Sequence, residues 1–460
     1  MVFSSDAAVA ARAKGFEPVL VLTEARPEDL PGVLASVAIV TDQGGQTTHA
    51  AVVARALGRP AVAGLVGGAL SVAQQHLSGP RGEALAAGDI ATVDGTSGTV
   101  YRGHLVEPRP QDNGTADLLR WLHEVLTDGP GVPVKVNADS AAAAARGRAL
   151  GATGVGLCRI EHMFLGDRRP LLERVMIARP GPELAEGLAA VYEVLRGEFI
   201  DLLTAMDGLN VTVRLLDPPR HEFLADPRDI ADPMARAMID RLREHNPMLG
   251  VRGVRLGILV PALTVTQIQA LIDAALVVRR SGGDPRPELL IPMVSTPREV
   301  DVVCGLLSDV KAAAGPAADT LAVRVGAMIE TPRAALMAGR LASRLDTISL
   351  GTNDLTALLW GLSRDDADRA LLPAYQELGL IDQSPFEQLD IDGVGAIIQQ
   401  VVRDARAARP DIQIGVCGEQ AAAESAVRFL AELDIDYISC ASPRIPLVRL
   451  VGAQQRRGIK

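Results

Sequence analysis

From residue 134 onward the chain alternates between short aliphatic runs and longer stretches of helical spacing. Eight runs read as strands: 134–138 (VKVNA), 154–159 (GVGLCR), 210–216 (NVTVRLL), 253–259 (GVRLGIL), 288–294 (ELLIPMV), 323–329 (VRVGAMI), 347–351 (TISLG) and 412–417 (IQIGVC). Most are aliphatic or β-branched on both faces, as parallel strands are when helices cover the sheet. Eight such units over 134–460 predict a (β/α)8 barrel, whose functional groups gather where the strands end. Those ends carry Asn137-Ala138-Asp139, Arg159, Arg214, Glu330, Asn353-Asp354 and Cys417. Polar residues of catalytic type follow buried runs too regularly for accident.

The preceding segment is a separate, smaller α/β unit. Residues 1–105 alternate a helix at 5–14, strands at 18–22, 37–41, 60–63, 89–95 and 98–101, and a helix opening at Pro27-Glu28-Asp29-Leu30. Residues 106–133 are rich in proline and polar residues and read as a linker, either a hinge or an ordinary connection, with a helix at 115–127. Inside the first unit, the run Gly44-Gly45-Gln46-Thr47-Thr48-His49 passes from a strand into a helix of small residues. A glycine turn at a helix start collects free N–H groups and the positive end of the helix dipole, which suits phosphate. His49 in that turn could carry a phosphoryl group covalently, or could simply cap the helix.

Composition narrows the partners. A net charge of -10 and 3% aromatic residues argue against nucleic acid, which needs a basic surface and stacking platforms. No stretch of about 18 uninterrupted apolar residues predicts a membrane span, and the N-terminus lacks signal-peptide character. Cys158, Cys304, Cys417 and Cys440 show no metal or disulfide spacing and fit a reducing cytoplasm.

Arg159, Arg214 and Arg252 are each compatible with a surface ion pair, but three converging on one barrel mouth would grip a phosphate and a carboxylate bidentately. Glu330 and Asp354 follow the sixth and seventh runs, close enough to share a cation such as Mg²⁺, or to join a salt bridge. Cys417, after the eighth run, is either inert packing or a proton donor.

The segments around His49, Arg159 (GLCRIEH), Arg214 (VRLLDPP), Arg252 (NPMLGVRG), Glu330 (MIETPR), Asp354 (GTNDL) and Cys417 (GVCGE) resemble the phosphoenolpyruvate (PEP)-utilising enzymes, in particular the pyruvate, phosphate dikinase family. The resemblance covers essentially the whole chain and implies a swivelling phosphohistidine domain before a barrel that binds PEP and pyruvate. It implies that His49 carries the phosphoryl group and that Cys417 protonates C3 of the pyruvate enolate. It assigns substrate to Arg159, Arg214, Arg252 and Gly351-Thr352-Asn353-Asp354, and Mg²⁺ to Glu330 and Asp354. A cytoplasmic homodimer through the barrel is the matching expectation. The family's ATP-binding region is expected on a separate subunit; a phosphocarrier protein as partner, or a non-catalytic regulatory role, is the alternative. Four positions depart from the family pattern: Gln43, Ile160, Val251 and Gln420. Ile160 and Gln420 bear on substrate fit and proton transfer.

Overall fold

The computed structural model describes residues 1–25, 29–43, 54, 59–65, 69–71, 75–79, 83–95, 97–105, 132–178, 180–219, 223–224, 233–367 and 371–456. The His49 turn and almost all of the expected linker lie outside the described residues. The chain divides into two compact units, Met1–Leu118 with Leu362–Glu387, and Leu119–Gly361 with Gln388–Lys460.

In the first unit, β1 (Val19–Leu22), β2 (Ala38–Thr41) and β3 (Ala61–Ala63) form a parallel sheet. Every residue of β1 and β2 is buried, as their unbroken aliphatic character predicts. Helix Ser5–Ala13 starts where the Ser4 hydroxyl accepts the Ala7 N–H at 3.2 Å, an N-cap in the usual sense. Three short strands that carry no aliphatic run, β4 (Ala69–Ser71), β5 (His76–Ser78) and β6 (Ala84–Ala86), pair antiparallel. A hairpin of β7 (Ala91–Asp94) and β8 (Thr99–Arg102) follows, and the later segment of this unit carries the short helices Arg364–Ala367 and Leu371–Glu377.

The second unit is a closed barrel of eight parallel strands: β9 (Val134–Asn137), β10 (Gly154–Arg159), β11 (Asn210–Arg214), β12 (Arg286–Ile291), β13 (Arg324–Ile329), β14 (Thr347–Leu350), β15 (Gln413–Val416) and β16 (Tyr437–Cys440). Each pairs with its successor in sequence, and β16 closes on β9 with Ile438 opposite Val134. Side chains alternate as the pleat requires. On β9, Val134 and Val136 enter the large core between strands and helices, while Lys135 and Asn137 face the barrel interior and bond to Asn210 and Ser439. Each fully buried Val, Leu or Ile in that core contributes roughly 1.5–3 kcal/mol of transfer free energy. Helix Pro261–Arg280 has the length and apolarity to cross a bilayer, yet 61% of its apolar window is buried in the protein. It packs on helix Pro182–Ala205, where Tyr192 donates to Asp273 at 2.7 Å.

The strand count agrees with the sequence, but two identities do not. Residues 253–259 form a helix, Gly253–Leu259, rather than a fourth strand. A seven-residue run of four aliphatic residues, two glycines and one arginine fits either state. Here Gly253 takes φ +56, turning the chain into a helix that buries only Gly253, Val254 and Leu256. The true last strand, β16, reads poorly because it turns Tyr437 and Ser439 into a polar barrel interior. Glu330 and Asp354 therefore follow the fifth and sixth barrel strands, and Cys417 follows the seventh.

Gly415 of β15 sits opposite Tyr437 of β16, and a Cβ at this position would lie inside the Tyr437 ring. Both residues are buried in the closed sheet, so neither can step aside. Gly415→Ala is expected to destabilise the barrel by about 1–3 kcal/mol, read as a lowered denaturant midpoint.

Candidate active site

The C-terminal ends of the strands meet in a cluster of buried charge. Arg214, the last residue of β11, and Arg252, the residue before helix Gly253–Leu259, share one counter-ion, Asp217. Asp217 Oδ2 lies 3.0 Å from Arg214 Nη1 and 2.8 Å from Arg252 Nη2, and the residue is wholly buried. Arg252 Nη1 continues to Asp354 Oδ1 at 3.0 Å, while Arg214 Nη2 donates to Glu161. Both guanidinium groups are thereby held more firmly protonated than usual. Burial opposes their charge, but the surrounding carboxylates outweigh it, Glu161 and Asp217 on Arg214, Asp217 and Asp354 on Arg252.

Glu330 follows β13 and is 1% exposed. Its Oε1 accepts the Met293 N–H at 2.6 Å, and Met293 takes a left-handed φ of 56 to present that donor. Its Oε2 lies against Gly351, 2.8 Å from where a Cβ would stand, so only glycine fits beside this carboxyl. Burial, then the charges of Asp217 and Asp354, pushes the Glu330 carboxyl up to about 8. Carboxylate oxygens of Asp217, Glu330 and Asp354 all lie within 4.8 Å of one another. An oxygen-rich, mutually repelling set of this kind fits a hard divalent cation. Asp217 is committed to two arginines, so Glu330 and Asp354 are the better-placed ligands.

Gly351 precedes helix Thr352–Trp360, and Thr352, Asn353 and Asp354 form its first turn. Thr352 is buried and donates to Gln420 Oε1 at 2.6 Å, so the Gln420 departure is built into the packing of this turn. Asn353 is partly exposed. Cys417, next after β15, packs inside the barrel with Leu157, Leu290 and Met328. Ser349 Oγ donates to its sulfur at 3.3 Å, and burial raises the thiol to about 11. The sulfur therefore holds its proton near neutral pH.

Arg159 ends β10, and its guanidinium makes no hydrogen bond or ion pair among the described residues; only its backbone N–H is engaged, by Asp139 at 2.7 Å. Asp139 also binds His162 Nδ1 at 2.7 Å. Arg214 Nε and Glu161 Oε2 are buried with no hydrogen-bond partner among the described residues. Ile160 is a core residue, 1% exposed, and does not face the charged cluster as a polar group would. Val251 is half-buried, with its N–H on Glu244 Oε1 at 2.8 Å.

The barrel thus brings together Arg214, Arg252, Glu330, Gly351 and Asp354, and places Cys417 where the charges of Arg159, Glu330 and Arg214 reach its thiol. His49 lies outside the described residues. Three residues of the cluster had no role assigned from sequence: Asp217, Asp139 and Glu161. An acidic residue two or three places beyond the polar last residue of a strand, Asn137, Arg159 or Arg214, was the available signal.

Removing Asp217 would leave Arg214 and Arg252, 9% and 6% exposed at their side chains, without their common anion. Asp217→Ala is expected to cost about 3–5 kcal/mol, measured by urea unfolding. A second expectation concerns pH. Burial disfavours the His162 cation, but the charge and hydrogen bond of Asp139 outweigh it and raise the imidazole above its ordinary 6.5. Asp139 is correspondingly lowered, burial being outweighed by His162 and Arg159. The raised histidine contributes stability that is complete below pH 6.5 and fades as pH rises through its folded value. The lowered aspartate contributes above 3.8 and fades as pH falls through its folded value. His162→Gln should therefore lie furthest below the unaltered protein near about pH 6 and approach it as pH rises through the folded value of His162, in urea midpoints taken from that pH upward.

Comparison with known proteins agrees with this arrangement. Residues 15–98 match the mobile domain of PEP-utilising enzymes, and residues 115–457 match their PEP-binding domain. Pyruvate, phosphate dikinase of Rhizobium meliloti (strain 1021) is 39% identical over 469 residues, covering 99% of this chain and 51% of the relative. Pyruvate, phosphate dikinase 2 of Oryza sativa subsp. japonica is 38% identical, covering 99% and 52%, and the Giardia intestinalis pyruvate, phosphate dikinase is 37% identical, covering 96% and 50%. The chain spans about half the length of these curated relatives. A barrel that gathers arginines and carboxylates at its strand ends, matched through most of its length by the PEP-binding domain, places this chain in the family of PEP-utilising enzymes.

Proposed function

We propose that the chain transfers a phosphoryl group between PEP and His49, releasing pyruvate, as one half of a pyruvate, phosphate dikinase-like reaction. The observation that carries this is the pair of unsatisfied arginine groups at the barrel mouth: the Arg159 guanidinium and the buried Arg214 Nε, beside Glu330 and Cys417. Guanidinium donors without a protein partner suit the phosphate and carboxylate of PEP.

In the direction that consumes PEP, its P–O bond breaks and a P–N bond forms to His49, leaving the enolate of pyruvate. Arg159, Arg214 and Arg252 hold the migrating group and spread its charge, which is most of what a protein contributes to phosphoryl transfer. The Cys417 thiol, kept protonated by burial, gives its proton to C3 of the enolate. The reverse reaction returns that proton to the thiolate, which Arg159 and Arg214 both stabilise. Glu330 and Asp354 would hold Mg²⁺, which when bound supplies Lewis-acid stabilisation at the enolate oxygen. His49 would reach the mouth by movement of its own domain, and would exchange its phosphoryl group elsewhere with an ATP-binding partner. A cytoplasmic homodimer through the barrel belongs to the same proposal.

The experiment is exchange of labelled pyruvate into PEP, with Mg²⁺ and without nucleotide. Exchange is expected in the unaltered chain, absent in His49→Ala, and reduced about 10²–10⁴-fold in Cys417→Ala. A folded protein that binds PEP but shows no exchange would point to a regulatory role instead.

A further inference from the structure

The barrel has a second polar opening, at the end where its strands begin and opposite the mouth that holds Glu330 and Cys417. A cavity of about 680 Å³ lies there, walled by the first residues of six strands and by the end of helix Pro261–Arg280. Its volume falls in the range of small-molecule sites, about 300–1,000 Å³. Lys135, Arg279, Arg286 and Arg324 line it.

The carboxylates in the wall are already engaged. Asp436 binds Arg406 at 2.8 Å and the Ile414 N–H at 2.6 Å, and the exposed Asp284 pairs with Arg286 at 2.7 Å. Lys135 is only 4% exposed and makes no direct ion pair among the described residues, although the charges of Glu288 and Asp436 reach it. Its ammonium donates to Asn210 Oδ1 at 2.7 Å and stands 3.8 Å over the Tyr437 ring. Arg279 donates to the Ala317 carbonyl and likewise lacks an acidic partner among the described residues. Arg324 is held by neutral acceptors, Gln413 Oε1 at 2.9 Å and Thr347 Oγ1 at 2.9 Å, with Glu288 no nearer than 3.9 Å.

Burial lowers Lys135 to about 8, reinforced by Arg324 and opposed by the charges of Glu288 and Asp436. The buried Lys135 and the more exposed Arg279, Arg286 and Arg324 set four cations around the opening, against the two wall carboxylates Asp284 and Asp436, which are already paired with arginines. We propose that this cavity binds a small polyanion, a molecule with at least two carboxylate or phosphate groups, between Lys135, Arg279, Arg286 and Arg324. Arginine forks would engage the oxygens at the open side, and the Lys135 ammonium would anchor the group that reaches deepest. The site is separate from the proposed PEP site, and its existence does not depend on that activity.

The test is calorimetric titration of the full chain with citrate and with inorganic pyrophosphate, in buffer freed of divalent metal on a chelating resin so that neither probe is drawn off by metal. One binding site is expected, weakened about tenfold or more by Arg279→Ser combined with Arg286→Ser and unchanged by Arg159→Gln at the opposite mouth. Arg286 is 61% exposed at its side chain, so Arg286→Ser alone should keep the fold if the double variant melts early, and should weaken binding in the same direction. Tighter binding of citrate would identify a carboxylate ligand, and tighter binding of pyrophosphate a phosphate ligand. Failure of both probes to bind would overturn the proposal. So would binding that survives the serine substitutions or disappears in Arg159→Gln.

Discussion

The buried bridge of Asp217 between Arg214 and Arg252 holds the candidate active site together. Two guanidinium groups taken out of water are tolerable only if their charge is answered at close range, and one wholly buried carboxylate answers both. Because Arg214 ends β11 and Arg252 precedes helix Gly253–Leu259, the same bridge ties the long segment between them down onto the barrel mouth. It also fixes Asp354, through Arg252, and so sets the spacing to Glu330 on the neighbouring strand end. The positions of the candidate ligands are thus consequences of ion pairing before any substrate is considered.

The site is polar inside and strained at one point. Met293 adopts a backbone conformation unfavourable for its side chain and thereby places an N–H on Glu330. Gly351 leaves room for that carboxyl where any other residue would displace it. Such departures from comfortable local structure concentrate where function outweighs stability.

The barrel was legible because parallel strands covered by helices must be aliphatic, and seven of the eight have that character. Tyr437–Cys440 escaped because the interior it faces is polar: Lys135, Asn210, Thr212 and Glu288 already form a hydrogen-bonded network there. A strand that turns Tyr437 and Ser439 toward such neighbours carries no hydrophobic signature. The helix Gly253–Leu259 was mistaken for a strand for the complementary reason, since a short apolar segment has no measurable period. Arg159, Arg214, Glu330, Asp354 and Cys417 stood out as reactive types at strand ends. Asp217 did not, because its importance lies in pairing with Arg252, 35 positions later, and such a partnership has no local trace.

The closure of β16 on β9 joins segments about 300 positions apart, with Ile438 opposite Val134. Until the last strand arrives, β9 has a free edge and Asn137 lacks its bond from Ser439, 2.5 Å long in the closed barrel. Asn137 in turn donates to the backbone carbonyl of Cys417 at 3.3 Å. The segment bearing the candidate proton donor is therefore fastened from the far side by the strand that seals the cylinder. A nascent or clipped chain that stops short of that strand would possess every named reactive residue and still lack their common frame. Closure of the cylinder thus makes the frame of the reactive residues depend on the arrival of β16.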